Sequence, residues 1–227
     1  MSDSQGPAAG TAVTSASVRF ELTGGALCLD FANTVDNRPT EARELLRSYG
    51  DLVSWAEQAG AIDRASGAAL RDEAARRPRA AESALVGARA LREALYSIFS
   101  ARAAGRPLPA EGVATLNAAM APSLARLHLD ARPDGACAWQ WSFGDRALDG
   151  LLAPVVDSAA ELLTAPELAR VRECEADNCG WLFVDRSRNR SRRWCDMAVC
   201  GNRAKVRRHY ARAKQAGSRN GHGIATE

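Results

Sequence analysis

The sequence predicts a mainly α-helical protein that carries a small antiparallel β-sheet and ends in a treble-clef or ribbon-like zinc finger with four cysteine ligands. Three observations support this prediction. Apolar residues recur at helical spacing over much of residues 49–163, alternating segments flank a Pro-Asp-Gly turn, and four of the six cysteines lie within residues 174–200. The length of 227 residues, at roughly 150 per domain, fits one globular body with a small appended module.

The first predicted elements lie near the N-terminus. Residues 18–22 alternate between apolar and polar types, which predicts a short strand, and the apolar run from Ala26 to Val35 has an i, i+4, i+8 spacing that favours a helix. Two polar residues, Asp30 and Asn33, interrupt that run. If they are buried they require hydrogen-bond partners, because an unsatisfied buried polar group costs about 1 to 3 kcal/mol.

The central part of the chain predicts helices separated by Gly and Pro, because apolar side chains repeat along one face of each segment. Alternating residues on both sides of the Pro-Asp-Gly turn predict a β-hairpin, and the helix after it is kinked or restarted at Pro154. The predicted elements are a helix ended by Gly60, a helix that stops near Pro78, helices over about Ala80–Ala104 and Glu111–Met120, a hairpin within 127–143 and a helix over about Leu148–Leu163.

Charge is distributed unevenly along the chain. Residues 1–169 contain 16 basic and 21 acidic residues, whereas residues 170–227 contain 14 basic and 6 acidic residues. Such a basic segment is typical of a polyanion contact, with a solvated basic surface as the alternative. No apolar run reaches the roughly 18 residues of a membrane helix, and the N-terminus lacks the basic and apolar regions of a signal peptide. We therefore expect a cytoplasmic protein without a membrane contact.

Four cysteines offer a complete ligand set for one metal ion. Cys174 and Cys179 form one Cys-x4-Cys pair, Cys195 and Cys200 form another, and fifteen residues separate the pairs. Four thiolates suit a tetrahedral structural Zn²⁺ and leave no open coordination position for a catalytic water. Iron–sulfur ligation and four free buried thiols are the alternatives, while disulfides are the less common use of such a cluster in a cytoplasmic chain.

The segments around the second cysteine pair predict a basic surface. The pattern of residues 181–194 predicts a hairpin that metal coordination holds in place. A helix with Asn202 as its N-cap is predicted to follow it. On that helix Val206, Tyr210 and Ala213 form one stripe that is expected to pack on the hairpin, which leaves two basic ridges outside. The predicted nucleic-acid contacts are Arg186, Arg188, Arg190, Arg192, Arg193, Arg203, Lys205, Arg207, Arg208 and Arg212.

Several of these stretches resemble the CGNR zinc finger family: CGWLF at 179–183, DRSRN at 185–189, RRWC at 192–195 and CGNRAK at 200–205. Upstream, GGALCLDFANT at 24–34 is similar to the opening of the ABATE domain, which accompanies this finger in bacterial proteins described as stress-induced transcriptional regulators. The resemblance implies a mainly helical N-terminal domain, no catalytic residues, and zinc ligands at Cys174, Cys179, Cys195 and Cys200.

The charge shift and the resemblance together divide the chain. We interpret it as a disordered tail (1–16), an ABATE-like mainly helical domain (17–168), a CGNR-type finger with its basic helix (169–215) and a second disordered tail (216–227). The N-terminal domain is expected to fold by itself, with the hairpin that carries Trp139 and Trp141 as part of its core.

The favoured function is a zinc-dependent nucleic-acid-binding protein, with DNA preferred over RNA: a transcriptional regulator whose N-terminal domain senses a small ligand or forms a homodimer. An RNA-binding protein and a protein-interaction adaptor are the alternatives, because arginine and aromatic residues serve both polymers and zinc fingers also bind proteins. An enzyme is not expected. The three histidines, His128, His209 and His222, form no recognisable catalytic set, and no phosphate-binding loop, dinucleotide fingerprint or nucleophile elbow is present.

Overall fold

The computed structural model describes residues 18–143, 147–207 and 210. The predicted tails, Arg208, Arg212 and Ala213 lie outside these residues. The elements are α1 (Leu27–Ala32), β1 (Val35–Asp36), β2 (Arg43–Glu44), α2 (Tyr49–Gln58), α3 (Arg64–Arg76), α4 (Pro78–Ala103), α5 (Ala110–Leu124), β3 (Leu127–Ala131), β4 (Cys137–Trp141), α6 (Ala153–Thr164), β5 (Val171–Glu173) and β6 (Leu182–Val184). Short helical turns cover Gly150–Leu152, Pro166–Arg170 and Met197–Gly201, and the last of these continues into helical residues 202–207, here called the finger helix. The predicted fold class is confirmed, since helices dominate and each sheet is an antiparallel pair.

Local sequence explains where the helices begin and end. Ser48 caps α2 through a reciprocal pair of hydrogen bonds: its hydroxyl accepts from the Asp51 N–H at 3.1 Å, and its own N–H donates to the Asp51 carboxylate at 2.8 Å. Gly60 follows α2 with a φ of 71°, a left-handed conformation that suits glycine. Pro78 opens α4 and Pro154 lies in the first turn of α6, where the missing N–H has no helical partner to lose. The predicted restart at Pro154 is confirmed.

The hydrophobic core forms around the short helix α1, which packs against α4 and α6. Phe31 of α1 and Trp55 of α2 are fully buried, with ring centroids 4.9 Å apart. Ile98 and Phe99 of α4 close the same core. A six-residue helix is unstable in isolation, so tertiary packing holds α1 in place.

The predicted strand over 18–22 is wrong. This segment is not assigned to a strand and has no strand partner among the described residues. Instead, the Phe20 N–H donates to the side-chain oxygen of Gln58 at 3.0 Å, and the Gln58 amide nitrogen donates to the Val18 carbonyl at 2.8 Å. A glutamine in the last turn of α2 therefore supplies the hydrogen bonds that a neighbouring strand would have provided.

The predicted hairpin is confirmed as β3 and β4, which pair Leu129 with Trp139. Its expected contribution to the core is wrong. Trp139 is 65% exposed and Leu129 is 56% exposed, because the hairpin projects from the body and only its Trp141 end approaches α3. The core of the N-terminal part must therefore be completed elsewhere.

Strands β5 and β6 complete that core. Val171, Leu182 and Val184 are buried in the same cluster as the residues of α1, α2 and α4. The backbone of β6 also joins the body directly, because the Val184 N–H donates to the Gly24 carbonyl at 2.8 Å. Residues that precede and follow the first cysteine pair are thus part of the body's own hydrophobic core.

The two polar residues that interrupt the α1 run have the hydrogen-bond partners expected of them. The Asp30 carboxylate accepts from the Gly24 N–H at 2.8 Å, and burial raises the pKa of Asp30 to about 6. Asn33 is buried and bonds to the backbone of Leu182 on β6. Both side chains therefore fix α1 to neighbouring backbone.

Candidate metal centre and basic surface

The four cysteines Cys174, Cys179, Cys195 and Cys200 meet in one buried cluster, with all four sulfur atoms within 4.8 Å of one another. The Sγ atoms of Cys179 and Cys195 are 3.6 Å apart, and those of Cys195 and Cys200 are 3.7 Å apart. A tetrahedral site with Zn–S bonds of about 2.3 Å places its sulfur atoms about 3.8 Å apart. The cluster therefore has the size and donor set that Zn²⁺ requires.

The first cysteine pair lies in a tight turn between β5 and β6. The Cys174 N–H donates to the Trp181 carbonyl at 2.8 Å, and the Cys179 N–H donates to the Ala176 carbonyl at 3.0 Å. Gly180 closes the turn with a φ of 71°, and a Cβ there would lie 3.2 Å from the Pro39 ring. Both the conformation and the close approach of the body require glycine at this position.

The second pair lies where a helix begins. The Asp196 carboxylate accepts from the Val199 N–H at 2.8 Å and caps the turn Met197–Gly201, which contains Cys200. The predicted N-cap, Asn202, is wrong, because the helical turn starts earlier and the Asn202 side chain instead donates to the Ala198 carbonyl at 2.9 Å. One pair on a hairpin turn and one at a helix start is the treble-clef arrangement of the prediction.

The predicted pairing within 181–194 is also wrong. Strand β6 pairs with β5, which precedes the first cysteine, and residues 186–193 form a loop. The buried Asp185 carboxylate organises this loop by accepting from the Ser187 N–H at 2.9 Å and the Arg192 N–H at 3.0 Å. Although burial acts to raise the pKa of Asp185, these hydrogen bonds hold it below its ordinary value.

The finger helix packs through a different stripe from the one predicted. Val206 is 54% exposed and Tyr210 is 70% exposed, so the predicted packing of this pair is wrong. Because Cys200 must face the metal cluster, the residues one and two turns later, Ala204 and Arg207, fall on the same side. Both line the small cleft between the finger helix and the first cysteine turn.

The cysteine thiols form hydrogen bonds with one another. Hydrogen bonds from Cys179 and Cys195 lower the pKa of Cys174 below its ordinary value, and the same contacts raise the pKa values of Cys179 and Cys195. Burial raises the pKa of Cys200. Zn²⁺ binds the thiolate form of cysteine, so coordination of all four sulfurs requires each thiol to lose its proton.

Side chains from both sides fasten residues 170–207, here called the metal module, to the body. The Trp181 indole N–H donates to the Val35 carbonyl at 3.0 Å. The Glu173 carboxylate of β5 accepts from the hydroxyls of Tyr96 at 3.1 Å and Ser100 at 2.7 Å, both on α4. The cysteine cluster is thus held in a fixed position relative to α1 and α4.

Two of the ten predicted nucleic-acid contacts donate hydrogen bonds to backbone carbonyl oxygens. The Arg192 guanidinium lies 4.5 Å from the centroid of the Phe183 ring and donates to the carbonyl oxygens of Trp194 and Cys195. Arg186 donates to the Gly25 carbonyl of the body at 2.8 Å. Through these contacts Arg192 stabilises the loop formed by residues 186–193.

Two further predicted contacts form ion pairs that the sequence reasoning missed. Arg193 lies 2.5 Å from the carboxylate of Glu175, and Arg207 lies 2.6 Å from the carboxylate of Asp177. Both acids belong to the four-residue turn between the first two cysteines. The signal in the sequence was this acidic Glu-Ala-Asp turn within an otherwise basic segment.

The four remaining described positions are exposed and form no ion pair with any residue that the structure describes. Arg203 borders the cleft between the finger helix and the first cysteine turn. These four residues, here called the open basic set, are Arg188, Arg190, Arg203 and Lys205.

Comparison with protein families agrees with the fold and the cysteine geometry. Residues 25–166 match the ABATE family, whose description is "Putative stress-induced transcription regulator". The chain belongs to the ABATE family. Residues 170–213 of this ABATE protein match the CGNR zinc finger, and with the clustered sulfurs this identifies the metal as one structural Zn²⁺ held by the four cysteines. The resemblance seen in the sequence is thereby confirmed.

The matched families also bear on the class of protein. Both matched families are of regulator or zinc-finger type rather than enzymes. No curated protein matches the chain. Within the part of the chain that the structure describes, no helix combines the length and apolar character needed to cross a membrane.

Proposed function

We propose that this ABATE protein is a zinc-dependent regulator that binds nucleic acid, with DNA as the preferred polymer. The observation that carries the proposal is the open basic set on a scaffold fixed by the four cysteines. These arginine and lysine side chains form no ion pair with the residues that the structure describes, so they are available for phosphate, and neutralising phosphates is the main source of affinity for DNA.

Arg203 is the best-positioned member of this set. It follows the zinc ligand Cys200 by three residues, so metal coordination fixes the backbone from which its side chain extends. It also lines the same cleft as Trp194, Arg193 and Arg207. A phosphate at this cleft would contact Arg203 and would compete with Glu175 and Asp177 for the two paired arginines.

The proposal assigns separate roles to the two parts of the chain. The family bounds support a boundary near residue 169, with the finger (169–215) as the nucleic-acid contact and the body (17–168) as the part that senses a ligand or forms a homodimer. We also propose a cytoplasmic location, because a bacterial regulator that binds nucleic acid acts there. We further propose that five other arginines contact phosphate, namely Arg186, Arg193, Arg207, Arg208 and Arg212.

The test is the salt dependence of binding. The zinc-loaded full chain is titrated with duplex DNA and, separately, with single-stranded RNA over a series of salt concentrations. Arg203→Gln should lower the log–log slope on duplex DNA by about 0.9, the value for one phosphate contact, and weaken binding to all sequences alike. The matched control is Arg79→Gln, an exposed arginine on α4 outside the metal module.

Each outcome of this test leads to one conclusion. Tighter binding to RNA than to DNA would overturn the choice of polymer and retain the polyanion contact. A zinc-loaded chain that binds neither polymer at low salt would overturn the proposal and favour the protein-adaptor alternative. An equal effect of Arg79→Gln and Arg203→Gln would show that overall charge, rather than the metal module, attracts the polymer.

A further inference from the structure

A cavity in the helical body lies away from the metal centre. Helices α4 and α5 are in close contact at Gly112, where a Cβ would lie 2.9 Å from the Ser97 hydroxyl oxygen. Toward the N-terminal half of α4 a cavity of about 600 Å³ opens between the two helices, with Leu152 and Val156 contributing to its lining. This volume falls within the roughly 300 to 1,000 Å³ typical of small-molecule sites.

The long wall of the cavity is apolar and made of small side chains, among them Ala84, Gly87, Ala88 and Ala119. Gly87 is the informative member. Glycine is a poor helix former in a helix interior, yet a Cβ at Gly87 would meet no atom within 4 Å. Gly87 is exposed on the cavity wall, so a larger side chain fits there without a clash with the described residues and would occupy cavity space.

One end of the cavity is polar. Ser123 is only 8% exposed, and its hydroxyl forms no hydrogen bond with any residue that the structure describes. Arg126 lies beside it, because the Arg126 N–H donates to the Ser123 carbonyl at 3.0 Å. The Arg126 side chain is 22% exposed, and its one ion pair among the described residues is a 3.4 Å contact with Asp149, which is 66% exposed.

We propose that this cavity binds a small amphipathic carboxylic acid. The apolar part lies along the Ala84–Gly87 wall, and the carboxylate accepts hydrogen bonds from the Arg126 guanidinium and the Ser123 hydroxyl. A guanidinium matches a planar carboxylate through two parallel hydrogen bonds, and the Ser123 hydroxyl, which lines the cavity, gains a partner on binding. This assigns a chemical class to a ligand of the body and is independent of the nucleic-acid contact.

The test uses octanoate and 1-octanol, which share an alkyl chain and differ in the anionic group. Isothermal titration of the full chain should show one octanoate site per protein and weaker binding of 1-octanol. Gly87→Leu should reduce octanoate affinity at least tenfold, because the added side chain extends into the cavity. The same variant should unfold at no lower urea concentration than the unmodified protein, since leucine is the better helix former.

Two further variants complete the design. Ala114→Leu is the matched control: it adds the same side chain at an exposed position of α5 outside the cavity and should leave octanoate binding unchanged. Arg126→Gln should abolish the preference for octanoate over 1-octanol. Absence of octanoate binding, undiminished binding by Gly87→Leu, or an unchanged preference in a folded Arg126→Gln protein would each overturn the proposal.

Discussion

The side-chain amide of Asn33 forms hydrogen bonds with both backbone groups of Leu182. The Leu182 N–H donates to Asn33 Oδ1 at 2.8 Å, and Asn33 Nδ2 donates to the Leu182 carbonyl at 2.9 Å. Asn33 ends α1 in the body, whereas Leu182 lies on β6 three residues after the zinc ligand Cys179. A single buried amide therefore serves β6 as a neighbouring strand would and couples the body to the metal module.

Replacement of Asn33 should weaken both parts of the molecule. Asn33→Ala leaves the buried N–H and carbonyl of Leu182 without partners, and each unsatisfied group costs about 1 to 3 kcal/mol. We expect a clear loss in the free energy of urea unfolding and faster release of zinc to a chelator. Asn117→Ala, an exposed change on α5, should alter neither quantity. Unchanged zinc release in the Asn33 variant would show that the contact does not couple the two parts.

Zinc should be required for the structure of the metal module. Cys179→Ser or Cys195→Ser removes one of four ligands, and in finger peptides the binding free energy, of order 10 to 16 kcal/mol, is largely folding free energy. Both variants should lose stoichiometric zinc by metal analysis and become sensitive to protease within residues 170–207. Cys137→Ser is the matched control, because Cys137 is exposed on β4 and distant in sequence from the cluster. A serine variant that retains one zinc per chain would contradict the ligand assignment.

Removal of the finger should also destabilise the body. A chain that ends at residue 168 lacks Val171, Leu182 and Val184, whose side chains are buried in the main core. Sequence reasoning predicted that residues 17–168 fold alone, whereas the shared core predicts a truncated protein without a cooperative thermal transition. Calorimetry of the truncated and full-length proteins decides between these outcomes. A sharp transition in the truncated protein would favour the prediction made from sequence.

The buried carboxyl of Asp30 should produce a defined pH dependence. Burial raises the pKa of Asp30 to about 6 in the folded protein, compared with about 3.9 when unfolded. The contribution of Asp30 to stability is therefore fully present below about pH 4 and is lost as pH rises through about 6. Asp30→Asn keeps an acceptor oxygen for Gly24 and should show a smaller decrease in stability across this window. Parallel pH profiles for the two proteins would contradict the assignment.

The sequence predicts a structural feature well when the interactions that determine that feature are local. The ends of α2 and α3 were predicted because Gly60 and Pro78 act at their own positions. The zinc ligands were predicted for the same reason, since two short cysteine spacings bring the thiols together within one small module.

Interactions between distant residues could not be predicted in this way. Residues 18–22 have the pattern of a strand, but their partner is the side chain of Gln58, which no periodicity reveals. Strand β6 could pair with either flanking segment, and its burial against the body selects β5. The exposed face of the finger helix was misassigned because the metal ligand Cys200, rather than the apolar Val206, determines its orientation.

The central claim is that the open basic set, held in place by zinc, contacts nucleic acid. The most direct measurement is the salt dependence of duplex DNA binding by a variant in which Arg188, Arg190, Arg203 and Lys205 are all replaced by Gln, with zinc content measured on the same sample. We predict that this variant keeps one zinc and the unfolding transition of the unmodified protein, while the log–log salt slope falls by about 0.9 for every phosphate that the replaced side chains no longer neutralise. A variant that keeps its zinc and binds DNA with an unchanged slope would contradict the claim.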